Sequence, residues 1–202
     1  MSHNIDKIFY INLDKRTDRR EEIEQELNQM ELSYERFPAI HNSNGIVGCG
    51  YSHLSVLKIA RDRGYKNVLI FEDDFTFLVS KLELEIQLEQ LFNRFNEFDV
   101  CFLSYGCNNF EDIPDNAFIK RVLDAQSASG YIVNEKCYSK LIDLYETCIP
   151  LLEETGQHWN YANDMCWRPL QKQDMWICFD KRMGKQRAGY SDNSNIFTDF
   201  GF

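Results

Sequence analysis

Long hydrophobic runs are missing from this sequence. The longest purely apolar stretches are four or five residues, such as 68–71 (VLIF), against the ~20 that a membrane-spanning helix needs. No transmembrane span is expected. Residues 1–7 are polar and hold no apolar signal core. Positive charge is also scarce: 22 Lys and Arg stand against 32 Asp and Glu, a net charge of −10. That balance makes the chain a poor candidate for a general binder of duplex DNA or anionic membrane, both of which need a basic footprint. A local basic pocket for a phosphate remains compatible with it. Histidine occurs only at His3, His41, His53 and His158, with no ligand-spaced pair. The seven cysteines are odd in number and include no Cys-x-x-Cys. A zinc site or disulfide framework fits that pattern badly; buried free thiols in a reducing, cytoplasmic compartment fit it best.

What is present reads as an ordinary globule. The chain has 202 residues, 44% hydrophobic and 27% charged, enough for one domain that buries roughly 70% of its unfolded surface. Strands are expected at 7–13, 34–40, 67–71, 98–105, 130–133 and 176–179, where β-branched and aromatic residues cluster. Helical spacing marks 19–31, 52–63, 81–95, 135–148 and 165–171. Residues 106–120, with Pro114, read as a loop or lid, and 181–202 as a polar tail. Alternating strands and helices predict a single α/β domain with a mostly parallel central sheet. Its ligand would lie beyond the carboxyl ends of the strands.

Glu72-Asp73-Asp74 stands at one such end. Three adjacent carboxylates repel one another unless a cation or solvent screens them, and a hard cation such as Mg²⁺ or Mn²⁺ commonly bridges a carboxylate to a substrate diphosphate. In extended backbone, residues 72 and 74 would face one side and 73 the other. Asn12 to Arg20 follows the first strand, and its Arg16, Arg19 and Arg20 offer donors for a phosphate near a helix start. A surface loop paired with Asp14, Asp18 and Glu21 explains the same residues. Gly48-Cys49-Gly50-Tyr51-Ser52-His53 is expected to open the second long helix, with Ser52 as its cap and His53 in its first turn. Asp164 lies among Trp159, Tyr161 and Trp167, a possible sugar-stacking wall that would raise its pKa toward that of a base; a helix cap is the plainer role. Residues 186–193 (QRAGYSDN) are expected either to fold over the site or to fray.

As an ordered set, YINLDKRTDR, ERFPAI, GCGYSHLSVLKIA and VLIFEDD resemble glycosyltransferase family 25, and SASGYIVNEKCYSKLI, Asn163-Asp164 and KQRAGYSDN extend the resemblance over nearly the whole chain. That family includes bacterial lipopolysaccharide galactosyltransferases and collagen hydroxylysine galactosyltransferases. The resemblance implies a GT-A-type, Rossmann-like fold, a UDP-linked sugar donor, a divalent metal (Mn²⁺ or Mg²⁺) and inversion at the anomeric carbon. It puts Asn12, Arg16 and Arg19 in the donor loop, Ser52 and His53 in a GC-x-x-SH motif, and Glu72, Asp73 and Asp74 in the acidic motif. Glu72 and Asp74 would hold metal and Asp73 the donor. Gln186, Ser191 and Asp192 fall on a terminal Gln…Ser-Asp motif, and Asp164 on a late acidic position. Lys136-Cys137 and Asn163 depart from the Gly-Ala and Val common there.

The expected function is therefore metal-dependent transfer of a hexose, galactose or glucose, from a UDP-sugar to a hydroxyl of a glycan or collagen-like protein. Asp164 is the expected base. The rival readings are a non-catalytic sugar-nucleotide or glycan binding module and a metal-dependent phosphodiesterase. The latter would normally bring a second group of His and Asp ligands.

Overall fold

The computed structural model describes residues 4–191, 196–199 and 201. An eight-stranded sheet runs in the order β2-β1-β3-β8-β5-β9-β7-β6. Its strands are β1 (Lys7–Asn12), β2 (Glu35–Pro38), β3 (Asn67–Glu72), β5 (Val100–Phe102), β6 (Gly106–Asp112), β7 (Ile119–Gln126), β8 (Gly130–Asn134) and β9 (Trp176–Phe179). Pairings β2–β1, β1–β3 and β5–β9 are parallel, and those of β8 with β3 and β5 and of β7 with β9 and β6 are antiparallel. Six of the eight strands thus point one way, and β8 and β7 point back.

Period-two alternation divides each central strand between two cores. From β1 and β3, Phe9, Ile11, Val68 and Ile70 face one core, and Ile8, Tyr10, Leu69 and Phe71 face the other. The first core is covered by α2 (Gly45–Asp62) and α4 (Glu135–Thr155), the second by α1 (Thr17–Gln29) and α3 (Lys81–Arg94). Ile23 and Leu27 make the buried stripe of α1, and Leu84, Leu88 and Leu91 that of α3. Because both faces are covered, β3 is apolar without interruption from Val68 to Phe71.

Several expectations are corrected. Helix α2 starts a full two turns earlier than its apolar spacing suggests. Asn44 is its N-cap, accepting from the Ile46 amide, so Gly48, Cys49 and Gly50 lie inside the helix and Ser52 and His53 in its middle. A Cβ on Gly48 would stand 2.5 Å from the Ile40 carbonyl oxygen. The glycine is there for close approach of the incoming chain, not for a helix start. Residues 106–120 are not a lid: β6 and β7 form an antiparallel pair at the sheet edge, with Pro114 in the connection. Strand β5 is three residues long because the chain beyond Phe102 leaves the ladder, and α4 continues through Pro150 to Thr155. The polar tail contains β10 (Gly184–Gln186), which pairs antiparallel with β4 (Phe75–Phe77) directly after the acidic triplet. β11 (Gly189–Ser191) then pairs with β12 (Ile196–Thr198). Short helices α5 (His158–Tyr161), α6 (Asn163–Cys166) and α7 (Arg168–Gln173) connect α4 to β9. No helix among the described residues is long and apolar enough to cross a membrane. All seven cysteines are free thiols, five of them buried.

Candidate active site

Parallel pairing puts the carboxyl ends of β1 and β3 on one edge, with Ile11 opposite Glu72. A cleft of about 240 Å³ opens there. Asn12, Lys15, Arg19, His41, Cys49 and Ser52 line it together with His53, the acidic triplet and Gln186.

Residues 73 and 74 form a turn between β3 and β4, so the side-chain alternation expected of extended backbone fails. Asp73 and Asp74 instead share one guanidinium: Arg19 Nη1 donates at 3.0 Å to each. Asp73 also accepts from Asn12 Nδ2 at 2.8 Å. Asn12 is in turn held by Arg36, whose Nε donates to Asn12 Oδ1 at 3.1 Å. Asp74 Oδ2 accepts from Gln186 Nε2 at 3.0 Å, a contact made possible by the β4–β10 pair. The other oxygen, Asp74 Oδ1, is buried with no hydrogen-bond partner.

Glu72 faces the other way. Its Oε1 lies 2.9 Å from His53 Nε2 and accepts from the Cys49 thiol at 3.6 Å, while His53 Nδ1 lies 2.7 Å from the Tyr131 hydroxyl. Burial and the Glu72 charge, with Asp73 adding to them, push Asp74 up to about 7 against the opposing pull of Arg19 and the Gln186 bond. Burial likewise raises Asp73 against the pull of Arg19 and Asn12. Burial works to raise Glu72 too, but the bond and charge of His53 and the Cys49 thiol bring it below its ordinary value. Burial drives the Cys49 thiol well up, with Glu72 and Asp164 adding to the effect.

Arg16 pairs with Asp18 at 2.8 Å, as a surface ion pair would, and also reaches the Tyr190 carbonyl. Arg19 Nη2 donates to the same carbonyl at 2.8 Å, so the segment around β11 lies over the loop after β1. Ser52 does not cap α2. Its hydroxyl donates to Gly48 O at 2.7 Å and accepts from the Ile40 amide at 2.8 Å, tying the helix to the chain that enters it. Ser191 ends β11, and Asp192 lies outside the described residues.

Asp164 does not line this cleft. It sits in α6, where its Oδ2 accepts from the Ser127 amide at 3.1 Å. Burial raises its pKa, with Glu72 contributing and His53 opposing. The expected aromatic wall is not formed: Trp167 is fully buried against Phe102, Tyr131 and Trp176. Trp159 and Tyr161 line a different cleft, with Arg168 and Lys172. Sequence reasoning missed Arg36, Cys49 and Tyr131. Cys49 and His53 share an i, i+4 face that could have been read; Arg36 and Tyr131 reach the site only through strand pairing, which leaves no local pattern.

The chemistry of the donor set fits a divalent cation. Three carboxylates crowd the edge, one guanidinium bridges two of them, and a buried carboxylate oxygen has no partner, which is costly unless a cation completes it.

Among solved structures the chain is similar to a glycosyltransferase involved in the glycosylation of the major capsid of PBCV-1. The TM-score is 0.55 at 9% identity, over 94% of this chain and 95% of that one. It is also similar to A197 from STIV, with a TM-score of 0.51 at 10% identity over 95% and 92% of the two chains. At these identities the likeness concerns the fold, which defines the class: a GT-A-like α/β protein with its cleft at the carboxyl edge of the sheet. The chain belongs to glycosyltransferase family 25 (LPS biosynthesis protein), whose model matches residues 5–45 and 41–167. No curated protein matches it. Glycosyl transfer is its role at that level of description.

Proposed function

We propose that the protein transfers a hexose, galactose or glucose, from a UDP-sugar to a hydroxyl of a glycan or collagen-like acceptor, with inversion and with Mn²⁺ or Mg²⁺ bound. The observation that carries this reading is the unpartnered Asp74 Oδ1 within the acidic cluster of the cleft. Asp74 would hold the cation, and Glu72 adds negative charge beside it. When bound, the cation supplies a Lewis acid against the charge that develops on the leaving diphosphate.

The chain's own residues do the rest. Arg19 keeps Asp73 and Asp74 from separating and adds positive charge at the cleft. Asn12, fixed between Arg36 and Asp73, presents a rigid floor to the donor. Gln186 orients the Asp74 carboxylate. Ser52 and His53 shape the wall given by α2, and Arg16 belongs to the loop that the Tyr190 segment covers and that would hold the donor. Asp164 lies outside the lining of the cleft but close enough to feel Glu72 and to act on Cys49; with its pKa raised by burial, it would be the base that takes the acceptor proton.

Calorimetry and thermal unfolding with UDP-galactose and UDP-glucose, with and without Mn²⁺, test the reading. A donor at a hundredfold excess over its Kd stabilises by about 2.7 kcal/mol, or roughly 5–10 °C at this chain length. The shift is expected only with Mn²⁺, to be lost in Asp74→Asn, and to be accompanied by slow release of UDP without acceptor. Absence of any shift, or release of UMP instead, overturns it.

A further inference from the structure

We propose that Cys49, His53 and Glu72 form a second cation site, for a borderline transition ion of the Zn²⁺ type, distinct from the hard-cation site at Asp74. Cysteine spacing argued against zinc because no two thiols are paired along the sequence. The fold instead assembles one thiol, one imidazole and one carboxylate. Cys49 and His53 are one turn apart on α2, and Glu72 ends β3 opposite them. Their ligating atoms all lie within 4.8 Å of one another.

Both separations to Glu72 are close to what a tetrahedral ion requires. Bonds of about 2.0–2.3 Å to N, O and S imply ligand atoms roughly 3.3–3.6 Å apart. Cys49 Sγ is 3.6 Å from Glu72 Oε1, and His53 Nε2 is 2.9 Å from it. Opening the His53–Glu72 pair by a few tenths of an ångström would bring it into that range, and all three residues line the cleft, from which a water would take the fourth position.

Two outer contacts match those of metal-bound ligands. His53 Nδ1 is held by the buried Tyr131 hydroxyl, which turns Nε2 to the site. Asn163 Nδ2 points at Cys49 Sγ at 3.8 Å, a donor suited to a thiolate. On binding, the ion takes the place of the Cys49 thiol proton, which passes to solvent; no electron is exchanged. A thiolate ligand selects Zn²⁺ or Co²⁺ over Mn²⁺ and Mg²⁺.

Co²⁺ titration of the metal-free full chain is the test. One ion per chain, whatever else the Asp74 site takes up, is expected to carry a thiolate-to-cobalt charge-transfer band and the strong visible bands of four-coordinate Co²⁺. Zn²⁺ should abolish both and Mn²⁺ neither. Cys49→Ser should lose the band, while Cys107→Ser and Asp74→Asn should keep it. Tyr131→Phe, which leaves the ring in place, should weaken Co²⁺ binding ~10–100-fold. A missing band, a band that survives Cys49→Ser, or an unchanged affinity in Tyr131→Phe overturns the site. Loss of the band in Asp74→Asn would merge it with the first. The readout is spectroscopic and needs no sugar donor, so it stands or fails apart from the proposed transfer reaction.

Discussion

Asp74 carries the sharpest residue-scale consequence. Its folded pKa, about 7, lies above the ordinary 3.8. Between those values the folded state binds more protons than the unfolded state, so this group's contribution to stability is present at low pH and lost as pH rises toward 7. Without divalent cation, Asp74→Asn should therefore be increasingly more stable than wild type from pH 4 to 7, with the gain levelling above 7. Melting temperatures of the two proteins across that range check it; a constant difference would contradict the raised pKa. In catalysis the same substitution should cost at least ~100-fold in turnover, the order of losing one major electrostatic stabiliser. Asp164→Asn separates two roles. As the base, its loss should reduce transfer by ~10²–10⁴-fold with UDP-sugar binding kept. If the carboxylate only holds the Ser127 amide, the variant should melt lower and transfer normally, and the comparison of rate with melting temperature decides.

At the scale of elements, two close approaches set the cleft. Helix α2 crosses the chain leaving β2 at Gly48, where a Cβ would meet the Ile40 carbonyl at 2.5 Å. Backbone cannot yield as a flexible side chain can. Gly48→Ala should cost about 1–3 kcal/mol, as overpacking does, and should move Ser52 away from the Ile40 amide. Chemical denaturation checks the stability loss. The second approach is Phe75 of β4, which lies against Gly130 and Gly184; a Cβ on Gly184 would fall 2.0 Å from its ring and 2.8 Å from the Thr76 carbonyl. The β4–β10 pair thus depends on that glycine, and Gln186 depends on the pair to reach Asp74.

Across the whole molecule, the eight-stranded sheet closes without residues beyond Phe179, whereas the cleft draws on both ends of the chain. Removing residues 184–202 should leave a cooperative fold with the sheet's circular dichroism. It should also remove Gln186 from Asp74 and the Tyr190 carbonyl from Arg19, weakening Mn²⁺-dependent UDP binding by tenfold or more. An affinity equal to that of the full chain would show that the carboxyl-terminal segment is not part of the donor site.

The sequence by itself determined the α/β class, most helices, half of the twelve strands among the described residues, and the edge of the sheet where the cleft lies. Apolar spacing in α1, α3 and β3 is local, and a parallel strand buried on both faces must end where its polar residues begin. It misplaced elements wherever tertiary contacts outweighed local pattern. The turns around Gly48 look like a helix start until the Ile40 carbonyl is seen to need the space, and β6, β7 and β10 are too polar to read as strands until their ladder partners are present. Only the tertiary structure decided that Arg19 bridges Asp73 and Asp74, that Glu72 turns to His53 and Cys49, and that Trp167 belongs to the core. Arg19 and Asp73 are 54 residues apart along the chain, and Cys49 and Glu72 are 23 apart. Such contacts arise from strand register and helix packing, which no periodicity within a short window encodes.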